Sequence, residues 1–232
     1  MGTVLAMTVM RRLGLATLLA GLLSACTNAP VDTSINSVLL SSLRTIGSSL
    51  TPAEPQPRPV VSRAQVEQAD VPLILIDVEI SGDQATAIRF GQNRNADTWI
   101  TLNGVTVTLK EGALFSTRGL GPDLLSATTD GLEQALPARR AARYGRDLRY
   151  IAGDESIRRE RFFCELVPEG AEARVVLQMR HSTTRMRESC YELEGPRNFT
   201  NLYWVGSDGM VWDSRQWVGE TVGYLRIQRL HR

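Results

Sequence analysis

Four tryptophans and a set of arginines carry the side chains best suited to chemistry in this sequence. Tyr203, Trp204, Trp212, Arg215 and Trp217 crowd one short segment, and Trp99 with Arg118 joins them if the two regions pack together. Sugar rings present apolar CH faces that stack on indole, and guanidinium groups donate several hydrogen bonds to hydroxyls or carboxylates. These seven residues are therefore the candidate polysaccharide-binding set, with an acidic polysaccharide as its partner. The competing reading makes the rings core, since Trp204 and Trp212 alternate with polar positions as inward strand residues do. Catalytic groups are scarcer. The only histidines are His181, read as a turn pair with Ser182, and His231, read as solvated near the chain end. Asp208 and Asp213 could meet across a hairpin as the carboxylate pair of a glycosidase, but Asp208 has a sufficient role in a turn. No nucleophile elbow, metal-spaced cluster or phosphate-binding glycine loop appears, so catalytic, metal and cofactor residues are assigned as none. A polysaccharide-modifying hydrolase stays as the lesser alternative.

The cysteines point to an exported chain. Arg11 and Arg12 precede the apolar run Leu13 to Leu23, which ends in Ser24, Ala25 and Cys26. A basic start, a short apolar run and a small-residue cleavage site make residues 1–25 a signal peptide. The run is about half the ~20 residues that a spanning helix needs. Leu23-Ser24-Ala25-Cys26 resembles the lipobox of bacterial lipoproteins, in which the cysteine is acylated and becomes the first residue. Cleavage there removes Arg11 and Arg12 and turns the net charge from +1 to −1. Attachment to the membrane then comes from acyl chains on Cys26, not from charge. Thr27, in place of aspartate, is similar to the pattern sent to the inner leaflet of the outer membrane, facing the periplasm. In that oxidising compartment Cys164 and Cys190 are expected to form a disulfide, with two separately buried thiols as the alternative. Closing that loop stabilises the fold by roughly 3 kcal/mol in the chain-entropy model.

The charge balance, 26 basic against 25 acidic side chains in 232 residues, excludes a nucleic-acid binder, and 43% hydrophobic content excludes a disordered chain. Residues 26–60 read as a lipid-attached tether holding one amphipathic helix from Ile35 and the proline-rich stretch Thr51 to Pro59. Residues 61–232 read as a single β domain. Ser62 and Gln65 have capping-box spacing, giving a second short helix that ends before Pro72. From Leu73 on, roughly eleven short apolar or β-branched segments are punctuated by turns. Among them are Leu148 to Ile151, Arg161 to Val167, Arg174 to Met179 and Ser189 to Leu193. Asn103-Gly104 signals a type I′ hairpin, and Trp204 with Asp208-Gly209 echoes the spacing of Trp99 with that pair. Gly119 to Ala142 reads as a long loop with a helical turn or two. The fold expected is mainly β, a strongly curled antiparallel sheet or partly open barrel with one or two short N-terminal helices.

Two regions carry a family resemblance. Thr98-Trp99, Asn103-Gly104, Gly112, Thr117-Arg118-Gly119-Leu120-Gly121 and Asp123-Leu124 resemble the central motif of the YjbF/GfcB lipoproteins. Asn201 to Val205, Gly209 to Trp212, Ser214 to Trp217 and Gly223-Tyr224 are similar to that family's closing segment. The resemblance implies a periplasm-facing accessory of exopolysaccharide or group 4 capsule export, with other export-machinery proteins as partners and no catalytic residues to carry over. Two non-enzymatic classes remain. A binding or scaffolding lipoprotein should show exposed aromatics beside arginines, whereas a lipid or lipoprotein carrier should show an empty apolar cavity.

Overall fold

The computed structural model describes residues 61–151 and 156–232, within a compact unit Gln56–Arg232. Cys26, the leader, the helix from Ile35 and the proline-rich stretch lie outside the described residues. Twelve strands form one antiparallel sheet: β1 Leu73–Val78, β2 Asp83–Asn93, β3 Ala96–Thr101, β4 Thr106–Lys110, β5 Ala113–Arg118, β6 Leu124–Ala127, β7 Ala142–Ile151, β8 Ile157–Val176, β9 Met179–Glu192, β10 Asn198–Gly206, β11 Val211–Gly219 and β12 Gly223–His231. The spatial order is β5-β4-β3-β2-β1-β12-β11-β10-β9-β8-β7-β6. First and last strands pair at the centre, so the two sheet edges are β5 and β6, neighbours in sequence. The sheet is thereby nearly closed into a barrel, and the mainly β expectation holds.

At the one break in the ladder, side chains replace backbone pairing. Leu124 N donates to Thr117 Oγ1 (3.0 Å), and Arg118 reaches Leu124 O (3.1 Å) and Leu125 O (3.4 Å). Asp123 accepts from Thr117 Oγ1 (2.9 Å), Gly119 N (2.7 Å) and Leu120 N (3.1 Å). Edge groups at the start of β6, which an open sheet would leave exposed for foreign strands, are thus occupied. Asp123→Ala removes three acceptor contacts, two to backbone donors, and is expected to cost about 2 kcal/mol in urea unfolding. A loss within experimental error would show the barrel does not depend on this seam.

Inward positions alternate along each strand. Arg146, Leu148 and Tyr150 on β7 face inward with Glu160, Phe162, Cys164 and Leu166 on β8, and Trp99, Val107, Leu114 and Leu225 complete the main core. Two helices cover what the sheet leaves. α1 (Arg63–Ala69) has both hydrogen bonds of the Ser62/Gln65 capping box and buries Val66 against Leu73, Val176 and Leu230. α2 (Asp130–Ala135) sets Leu132 and Ala135, with Leu136, against Leu166, Met186, Tyr203 and Val205. Its first turn comes so close to β7 that a Cβ on Gly131 would lie 2.6 Å from that of Tyr144.

Several sequence expectations are corrected. The stretch from Gly119 holds β6 as well as α2, and β5 before it is a further strand. β6 has only four residues, Leu-Leu-Ser-Ala, without alternation to mark it. Arg174 to Met179 is not one strand. It contains the end of β8, a two-residue turn at Leu177-Gln178 with φ of 44° and 69°, and the start of β9. His181-Ser182 is therefore strand, not turn. Asn103-Gly104 is not type I′: of the two, only Gly104 has positive φ (84°). Thr101 N donates to Val105 O and Gly104 N to Thr101 O, which makes a three-residue loop with glycine in the left-handed position. Gly206, Gly209 and Met210 repeat the same pattern.

Candidate functional site

The seven candidate ligand-binding residues occupy separate environments. Trp99 is fully buried in the barrel core, with the Arg229 guanidinium 5.1 Å from its ring centroid. Tyr203 is fully buried too, its hydroxyl donating to Glu188 (2.7 Å). Trp204 lies beneath Arg174, 3.9 Å from its ring, and Arg118 belongs to the β5–β6 seam. Arg215 and Trp217 sit together: Arg215 stacks on Tyr224 (3.3 Å) and pairs with Glu79 (2.8 Å), while Trp217 meets the same tyrosine edge to face at 5.0 Å. Trp212 is apart from these. It sits where the register between β10 and β11 shifts, and its ring stacks on His181 of β9 with centroids 3.7 Å apart.

That stack lines a cavity of about 320 Å³, into which α1 contributes Arg63, β9 Met179 and His181, β11 Trp212, the end of β12 Leu230 and His231, and the residue after it Arg232. Arg63 donates to Leu230 O (3.1 Å) and pairs with Glu67 (2.8 Å); Arg232 lies over Trp212 at 5.3 Å and pairs with Asp208 (2.5 Å). His231 lies 3.5 Å from Asp70. Burial first, then the positive charges of Arg63 and Arg232, holds the His181 imidazole below its ordinary pKa, so at neutral pH it stacks uncharged. The lining is mostly apolar, with the His181 and Trp212 rings stacked on each other and the Arg63 and Arg232 guanidiniums supplying donors beside them. Such a lining suits a polyhydroxylated ring.

Residues 34–230 match the family model of YjbF, the group 4 capsule polysaccharide lipoprotein GfcB. The chain belongs to the YjbF family. Membership in a lipoprotein family implies a membrane-anchored or periplasm-side location. A solved structure of the lipoprotein YmcC from Escherichia coli shares the fold with a TM-score of 0.69, at 18% identity over 88% of this chain and 98% of that one. An exported protein from Bacteroides fragilis, described as having a YmcC-like fold, is 8% identical with a TM-score of 0.31, covering 69% of this chain and 93% of that one. No curated protein matches.

Elsewhere in this YjbF-family barrel the buried carboxylates are bound to arginines. Asp213 is fully buried and accepts from Arg174 (2.6 Å), Arg226 (2.8 Å) and Gln228 (3.3 Å), while Asp208 serves its turn through Met210 N (3.1 Å) and pairs with Arg232. Inside, Glu188 accepts from Arg146 (2.7 and 2.9 Å), Tyr144 (3.0 Å), Asn201 (2.7 Å) and Tyr203. Burial alone would raise the Glu188 pKa, but Arg146 and the hydrogen bonds from Asn201 and Tyr203 outweigh it and hold the carboxylate ionised. Burial, with Glu188 second, pushes the Tyr144 phenol up, so it stays a donor. Cys164 and Cys190 lie close to Glu188, in a grouping with metal-ligand types, but the two sulfurs are joined in a disulfide.

Sequence reasoning found Trp212 by its type and missed the rest of its cavity. Arg63 and Arg232 stand near opposite ends of the described chain, and pairing of β1 with β12 brings those ends together. The helix start that carries Arg63 was legible from Ser62 and Gln65, but its neighbours were not.

Proposed function

We propose that this chain is a non-catalytic lipoprotein of capsule or exopolysaccharide assembly or export. Acyl chains on Cys26 hold it at the inner leaflet of the outer membrane, where it positions the polymer for partner proteins of the export machinery. Polymer contact falls at the Trp212 cavity. The observation that carries this reading is the His181–Trp212 stack beside Arg63 and Arg232, in a family named for capsule polysaccharide. Occupation of Asp213 by two arginines speaks against a glycosidase pair at that position. A carrier needs an empty apolar interior, whereas Trp99, Leu114, Leu148, Phe162 and Met186 fill the barrel.

Clean deletion of the chain, with complementation, tests the proposal through extracellular polysaccharide output. Output is expected to fall on deletion and to return with the native chain but not with Cys26→Ser. Trp212→Ala is expected to fold normally and weaken binding of purified polymer about tenfold, equal to ~1.4 kcal/mol, within the range for one stacked ring. Unchanged output on deletion overturns the role. Full binding by a folded Trp212→Ala protein removes the cavity from it.

A further inference from the structure

Arg146, Arg174, Arg197 and Arg226 each reach a buried carboxylate, that of Glu188, Asp213 or Glu160. Arg229 on β12 does not. Among the described residues its side chain has no hydrogen bond or ion pair, and its Nε has neither a partner nor solvent contact. The guanidinium lies 5.1 Å from the ring centroid of Trp99, but a ring face neutralises no charge. Burial first, then the positive charges of Arg89 and Arg232, hold it below its ordinary pKa; Asp97 acts the other way, but that carboxylate already stands 3.7 Å from Arg89. Arginine stays protonated even so, which leaves a cation set into the barrel without a counter-charge of its own.

Arg229 lines a cavity of about 10 Å³ beside the main core, room for one guest of water or halide size. Ile74, Leu109 and Ile227 give it apolar walls, and Ser214 is the other polar side chain of its lining. Ser214 Oγ accepts from Gln216 Nε2 (3.0 Å), while its own O–H is committed to no acceptor among the described residues. The carbonyl of Gly112, also in the lining, accepts from the same Gln216 amide (2.9 Å). The polar side chains around this space are thus a guanidinium and a hydroxyl with donors to give, and no carboxylate lines it.

We propose that this cavity binds one small monovalent anion, with chloride as the ordinary occupant. The anion accepts hydrogen bonds from Arg229 and Ser214, and the apolar walls keep out the water that would screen the pair. A water molecule would satisfy the donors but leave the charge, and phosphate, sulfate or a sugar carboxylate exceeds the space. The site is independent of the polymer cavity and of the membrane anchor.

The test is thermal unfolding of the full lipidated chain in mild detergent, in about 0.15 M sodium chloride against sodium gluconate of equal ionic strength, gluconate being too large to enter. The native protein is expected to melt about 4 °C higher in chloride, the shift for one site at roughly ten times its dissociation constant in a domain of this size. Arg229→Met and Ser214→Ala are each expected to lose most of that difference, and if Arg229→Met folds poorly, Ser214→Ala carries the comparison. Bromide makes the same contacts as chloride, so crystals of the chain grown in sodium bromide are expected to show an anomalous peak between the Arg229 guanidinium and Ser214 Oγ. Equal chloride shifts in the native protein and the variants reveal a general salt effect and overturn the proposal. Crystals without a bromine peak at that position give the cavity to water and overturn it as well.

Discussion

Arg146→Met is expected to destabilise the barrel by about 3–5 kcal/mol in denaturant unfolding, because it leaves Glu188 buried without its counter-charge. Both side chains are essentially without solvent contact, and the guanidinium NH1 reaches both carboxylate oxygens while NH2 donates to Leu114 O (3.3 Å). The lost ties therefore join β7 to β9 and β5 across the interior. The variant should also change the pH dependence. In the native protein the folded pKa of Glu188 is held below the ordinary glutamate range, so its contribution is present above that range and is lost as pH falls through the folded value. Without Arg146, burial dominates and raises the folded pKa. The unfolded chain then binds fewer protons than the folded one, and stability falls as pH rises through the new value. Opposite slopes of stability against pH are the diagnostic result. Adding Glu188→Gln removes the unpaired charge but keeps a carbonyl acceptor for Tyr203 and Asn201, and should recover more than half of the loss. Equal instability of single and double variants would show that volume, not charge, controls this site.

That buried pair also shows where legibility stops. The apolar, β-branched run Leu73 to Val78 and the glycine turns at Gly104 and Gly209 are local signals, and they mark a strand and two hairpins correctly. Arg146 and Glu188 read locally as outward polar residues, and only the register of β7, β8 and β9 turns them inward to meet. The seam between β5 and β6 was visible as the Thr117-to-Leu124 motif, but its job depends on β1 pairing with β12 and bringing the two sheet edges round. The aromatic candidates failed to converge for the same reason. Strand alternation and the register shift near Trp204 send Trp212 to the α1 cavity, Trp217 towards Tyr224, and Trp99 into the core.

Replacing both Cys164 and Cys190 with alanine is expected to lower stability by about 3 kcal/mol. The disulfide joins directly opposed inward positions of β8 and β9, 26 residues apart in sequence. Its importance follows from the turn of that long hairpin. Leu177 and Gln178 both adopt left-handed φ, a conformation that costs a non-glycine residue about 1 kcal/mol or more, so the turn favours its own geometry only weakly. A slip of one residue would exchange inward Phe162, Cys164 and Leu166 with outward Phe163 and Glu165. The crosslink forbids that slip where the turn does little to resist it. Placing Leu177→Asn and Gln178→Gly in the cysteine-free variant supplies a favourable two-residue turn and should return about 1 kcal/mol or more. Because both cysteines are fully buried, reductant should reach the native disulfide only through opening of the barrel, and the rate of reduction should rise with urea as unfolding does. Rapid reduction in water without loss of structure would mean that β8 and β9 separate locally, leaving the rest of the sheet to hold the register.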